Sequence, residues 1–124
     1  MARVTPRLVE TAYFLLRMMT GLLFAEHGVQ KTFGLLGGAR VPLPSELGLA
    51  GLIELAAGAM IAAGVYPRWA ALLAAGEMAV AYLTVHARLG FWPVGNHGEL
   101  AVLYFFVFLF IAARGGGQLS LTRD

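Results

Sequence analysis

Four apolar stretches of near-membrane length occupy most of this chain and leave it little choice of fold. They run from about Val9 to Gly28, Leu47 to Val65, Trp69 to Ala87 and Leu100 to Ala113. A run of ~17–25 apolar residues crosses a bilayer as a helix. None of the four alternates with a period of two, so transmembrane strands are a poor alternative. The chain is 13% charged, against ~25% for a soluble domain. The expected fold is therefore all-α: a single membrane domain over residues 1–124, built as a four-helix transmembrane bundle. The fourth run is the shortest and spans only if Glu99 and Arg114 snorkel from its two ends.

Several function classes drop out. With no cysteine, disulfides, thiol catalysis and cysteine-ligated clusters are excluded. The basic residues are scattered and form no nucleic-acid footprint. Arg3 and Arg7 precede an apolar run, as in a signal peptide. Arg17 interrupts that run and no clear small-residue cleavage site follows, so a retained first span is expected.

The connections differ in character. Gln30–Glu46 carries Gly34, Gly37, Gly38, Pro42 and Pro44, a true loop with room for a short re-entrant or interfacial piece. Only a tight turn around Pro67 separates the second and third runs. Phe91 and Trp92 lie in the next connection and suit a membrane–water interface. Arg3, Arg7, Arg68, Arg114 and Arg123 would flank one side, against Lys31, Arg40 and Arg88 on the other. That bias places both termini in the cytoplasm, with the chain in the bacterial inner membrane. Gly48, Gly51, Gly58, Gly64 and Gly76 would let helices approach closely. Gly21 and Gly28 would permit a bend in the first span.

The polar residues fall into two layers. Arg17, Glu54 and Glu77 each lie about ten residues from the inner ends, roughly 15 Å deep. One cation and two acids on three helices form either a structural ion-pair lock or a proton-relay or substrate site. Two carboxylates beside one arginine repel, so one of Glu54 and Glu77 is expected to keep its proton; the pattern does not say which. About 13 Å further out come Glu26, His27, Lys31, His86, Arg88, Asn96, His97 and Glu99. Of these, His27, Lys31, His86, Asn96 and Glu99 are candidate ligand-binding residues. His27, His86, Glu26 and Glu99 are candidate metal ligands, although no H-x-x-x-H or E-x-x-H spacing is present. Arg17 and Glu26, like Glu77 and His86, are nine residues apart, about 180° around an ideal helix. The two layers share an axis only if a helix bends.

These residues also carry a resemblance. Arg17, Gly21 and Phe24 lead into His27-Gly28-x-x-Lys31-x-Phe33-Gly34. Gly51-x-x-Glu54-x-x-x-Gly58, Glu77-Met78, His86, Phe91-Trp92 and Asn96-x-Gly98-Glu99 follow. In order and spacing the chain resembles the DoxX family of small four-helix bacterial membrane proteins, over about residues 10–122. The resemblance implies a redox-associated subunit that interacts with membrane quinone, an oxidoreductase component whose own catalytic residues are unknown. A quinone would sit at the outer His/Glu site, with Glu54 or Glu77 relaying protons and a soluble or membrane redox partner subunit supplying the electron carrier. Two other classes stay open: a metal- or haem-binding membrane protein, and a non-enzymatic anchor or scaffold recruiting a soluble partner. A transport role would require a homo-oligomer. Substrate, bound cofactor, partner and oligomeric state are not legible.

Overall fold

Each helix is started and stopped by local chemistry. In α1 (Pro6–Phe33), the Thr5 hydroxyl accepts from the Leu8 amide and Pro6 occupies the first turn. Gly34 ends it in the left-handed region, its amide donating to the Gln30 carbonyl. Ser45 caps α2 (Glu46–Ala63) by accepting from the Gly48 amide, and left-handed Gly64 stops it. Pro67 opens α3 (Pro67–Ala81), which continues as a π-helical turn over Tyr82–His86 and a 3-10 turn over Ala87–Leu89. A short α4 (Pro93–Asn96) precedes α5 (Glu99–Arg114). This computed structural model describes residues 5–124; Arg3, counted among the inner basic residues, lies outside them.

The described residues are all-helical, without strands. Three stretches are long and apolar enough to cross a membrane: Pro6–Phe33, Glu46–Ala63 and Pro67–Leu89. At 1.5 Å per residue α1 is about 42 Å long, more than the ~30 Å hydrocarbon core, so one of its ends reaches the interface. It continues five residues beyond the expected end at Gly28. The connection to α2 is correspondingly shorter and holds turns, with no re-entrant helix.

Helix α1 packs on α2, α2 on α3, and α3 on α5. Phe24 of α1 closes the ring by meeting Tyr104 and Phe108 of α5 at 5.3 and 4.8 Å between ring centres. Alanines make the α3 side of the core (Ala70, Ala71, Ala74, Ala75), against Tyr104, Phe108 and Ile111 of α5. Small residues facing aromatics fill space without overpacking.

The α1–α2 contact is backbone on backbone. A Cβ on Gly58 would lie 2.6 Å from the Ala25 amide nitrogen, and one on Gly21 equally close to the Gly58 carbonyl. Gly28 faces the Gly51 carbonyl in the same way. Gly21 and Gly28 therefore serve close packing in a continuous helix. Gly76 has no neighbour within 4 Å and makes no close contact, contrary to its sequence-based assignment.

Candidate functional site

The start of α1, the α2–α3 turn and the chain after α5 share one end of the molecule. Gly115–Asp124 folds back across it. The Tyr13 hydroxyl donates to the Gly115 carbonyl at 2.5 Å, and Arg114 pairs with Glu10. The Thr122 amide donates to the Gly64 carbonyl at 2.9 Å. Arg17, 1% exposed, is held here. Its guanidinium donates to the carbonyls of Ile61 (3.0 Å), Leu119 (2.9 Å) and Gly116. Its hydrogen-bond partners are thus backbone carbonyls, and neither Glu54 nor Glu77 is among them.

The register of α1 on α2, with Gly21 against Gly58 and Gly28 against Gly51, explains this, and Cβ directions add to it. Side chains on a helix lean toward its N-terminus. On α1 that displaces Arg17 toward the tail. The same lean brings Lys31 back from the far end toward the middle. Helix α2 runs the opposite way, so Glu54 leans to meet it. Lys31 Nζ donates to Glu54 Oε1 at 2.6 Å, with side-chain exposures of 29% and 3%. Glu77 of α3 is a neighbour of Glu54, near enough for the two carboxyls to act on each other. The second oxygens, Glu54 Oε2 and Glu77 Oε2, are buried with no donor facing them. The cluster that forms is therefore Lys31–Glu54–Glu77, with Lys31 where residue counting places Arg17.

The outer group divides into three parts. Asn96, fully buried, ties the α3–α5 connection. Its Nδ2 donates to the Gly90 carbonyl (2.9 Å) and the Tyr82 hydroxyl (3.1 Å), and its Oδ1 accepts from the Gly98 amide (2.8 Å). His86 Nδ1 lies 3.0 Å from the Asn96 carbonyl, and its ring stacks on Tyr82. The π turn, closed by the Ala87 amide on the Tyr82 carbonyl, changes the helical phase between Glu77 and His86. His27 is elsewhere, half-buried with its ring edge-on to Tyr104. His97 and Glu26 are exposed, as is Glu99 in the first turn of α5. Among the described residues no three His, Asp or Glu side chains converge to hold a metal ion. The sequence-based set of His27, His86, Glu26 and Glu99 is thus not gathered into a metal centre.

Tyr13, Tyr82 and Tyr104 were not singled out in the sequence. A tyrosine within an apolar helix needs a partner for its hydroxyl, and that is the signal by which they could be found. Beside Tyr82, a groove of about 270 Å³ runs between α3 and α5, lined by Met78, Leu83, Ala101 and Phe105 among others. It shares Val102 and Phe106 with a wider hollow that reaches Pro93 and Glu99.

Known proteins place this arrangement. The DoxX family profile matches residues 12–87, well over half of the chain. The protein belongs to the DoxX family. An uncharacterized protein of Haemophilus influenzae is 36% identical over 120 residues, covering 90% of each chain. No solved structure matches. The DoxX match covers Arg17, Lys31, Glu54, Glu77 and His86, and stops before Asn96 and Glu99.

Proposed function

We propose that this DoxX protein is a four-helix subunit of the bacterial cytoplasmic membrane that holds a hydroquinone against α3 and α5. The fourth crossing would be α5, whose 16 residues reach about 24 Å, with Glu99 and Arg114 extending it to the two interfaces. Both termini would be cytoplasmic, because Arg7, Arg68, Arg114 and Arg123 outnumber Lys31, Arg40 and Arg88.

One observation carries the ligand reading: the His86–Asn96 contact. A carbonyl can only accept, so Nδ1 of His86 carries the hydrogen. In the neutral ring Nε2 is then a bare acceptor. An acceptor suits the hydroxyl of a quinol better than the carbonyl of a quinone. The ring lies on Tyr82, which lines the apolar groove. At about 270 Å³ that groove is slightly below the ~300 Å³ at which whole-ligand pockets begin. It fits a segment of an isoprenoid tail while the headgroup stays at the outer end.

Asn96 would orient His86 and Tyr82, Glu99 would border the outer hollow, and Glu54 and Glu77 would pass protons inward. Lys31 would hold the Glu54 carboxylate in place. His27 lies edge-on to Tyr104, and among the described residues no backbone carbonyl fixes its ring as Asn96 fixes that of His86. A quinol supplies two electrons and two protons on oxidation. The chain's own side chains carry no electron relay, so the electrons would leave through a partner redox subunit.

The test is a native mass spectrum of the protein released gently from its own membrane, paired with extraction and chromatography of bound lipids. A stoichiometric quinone or quinol that is lost in His86→Phe is the expected result. The same quinone content in wild type and in a folded His86→Phe variant would overturn the reading.

A further inference from the structure

We propose that Lys31, Glu54 and Glu77 form a charge-balanced site that binds one exchangeable proton between its two carboxyls. The proposal rests on the reading that these acids handle protons, and adds a capacity and a counting rule.

The geometry demands one more positive charge than the side chains provide. Lys31 contributes one cation and contacts Glu54 Oε1 alone. With both acids ionised the trio would carry a net charge of −1 inside the helices. Ionised carboxylates only accept, so their mutual contact repels unless a proton lies between them. Glu54 Oε2 and Glu77 Oε2 are both buried and without a donor. A single proton neutralises the trio and supplies the missing hydrogen bond in one step.

Among the described residues no other cation pairs with these carboxyls. From α1, His27 and Glu26 are the remaining titratable groups on this side, with His27 against Tyr104. From α5, Tyr104 comes near Glu54. The Arg17 guanidinium donates to three carbonyls at the opposite end. Exchange would run past Lys31, whose side chain keeps 29% exposure against 3% for Glu54. The proton would enter from water at that end of α1.

The experiment is infrared spectroscopy of the whole chain in lipid nanodiscs near neutral pH, reading the carbonyl stretch of protonated carboxyl groups. Charge balance predicts one such group in the wild type. It predicts none in Glu77→Gln, where Lys31 and Glu54 already balance, and none in Glu54→Gln, where Lys31 balances Glu77. It predicts two in Lys31→Met, where no cation remains. Glu77→Gln is nearly isosteric and keeps the Lys31–Glu54 pair, so it decides the matter if the other variants fail to fold. No protonated carboxyl in the wild type, or an undiminished band in Glu77→Gln, would overturn the proposal. So would loss of the wild-type band on adding sodium at constant pH, because the bound cation would then be sodium. Quinone retention, read at His86, is unaffected by this count, so either idea can fail alone.

Discussion

Arg17 and Gly116 stand 99 positions apart, yet the guanidinium of one donates to the carbonyl of the other inside the protein. A buried cation in hydrocarbon costs ~2.5–3.5 kcal/mol on insertion scales. Here it is offset by three carbonyls drawn from α2 and the tail, which makes Arg17 the rivet holding residues 115–124 across the helix ends. Lysine keeps the charge but not the planar fork that reaches three acceptors. Arg17→Lys should lower stability by about 2 kcal/mol, and Arg17→Met by about 3, through the lost charged hydrogen bonds. Thermal unfolding in detergent reads the loss. Limited proteolysis should show faster cleavage after residue 116 in both variants. A tail equally protected in Arg17→Met would refute the rivet.

Gly58 and Gly76 should respond oppositely to the same substitution. A methyl on Gly58 meets the Ala25 backbone at 2.6 Å, so α1 and α2 must separate. Gly58→Ala is expected to cost about 1–3 kcal/mol by overpacking. Gly76 faces open space, where alanine is favoured by roughly 0.5–1 kcal/mol within a helix. Paired melting curves in one detergent check both signs at once.

Three membrane-length helices were legible because apolar length and proline or glycine stops act locally. The partners of Arg17 were not, because backbone carbonyls leave no mark in a sequence. Counting residues placed Arg17, Glu54 and Glu77 at one depth, but the register that sets Gly21 against Gly58 and Gly28 against Gly51 puts Arg17 level with the end of α2 at Gly64, well away from Glu54. Antiparallel helices also lean their side chains in opposite directions, which carries Arg17 further toward the tail and Lys31 toward Glu54. The π turn at Tyr82–His86 was also hidden, since nothing in that run distinguishes it from ordinary helix. Burial of Asn96 likewise depends on the fold of the connection between α3 and α5, which carries only weak local signals.

Asn96 makes three hydrogen bonds at 0% exposure, so its removal strands several groups at once. Asn96→Ala should destabilise by about 1–3 kcal/mol, with the Gly90 carbonyl left unsatisfied and the Gly98 amide reduced to its longer bond to the Pro93 carbonyl. Asn96→Asp should be at least as costly, because its carboxylate would replace a donor where the Gly90 carbonyl needs one. Hydrogen exchange should accelerate over residues 90–98 before it does in α1 or α2. Uniform acceleration throughout the chain would mean that Asn96 supports the whole fold and not this connection.

His86 and His97 separate ligand binding from mere proximity to the outer end. His97 is exposed at a helix end with a left-handed backbone, and its ring makes no hydrogen bond among the described residues. His86 is fixed by the Asn96 carbonyl with Nε2 left over. Removing that acceptor in His86→Phe forfeits about 1.4 kcal/mol of a hydrogen bond, or tenfold in affinity. A titration with a short-chain hydroquinone, followed through tryptophan quenching from Trp92 and Trp69, measures it. His97→Ala should bind as the wild type does. Asn96→Ala, if it folds, should weaken binding by less than His86→Phe, because it frees the ring to turn but keeps the acceptor. Equal affinity for all three variants and the wild type would remove the quinol from α3 and α5.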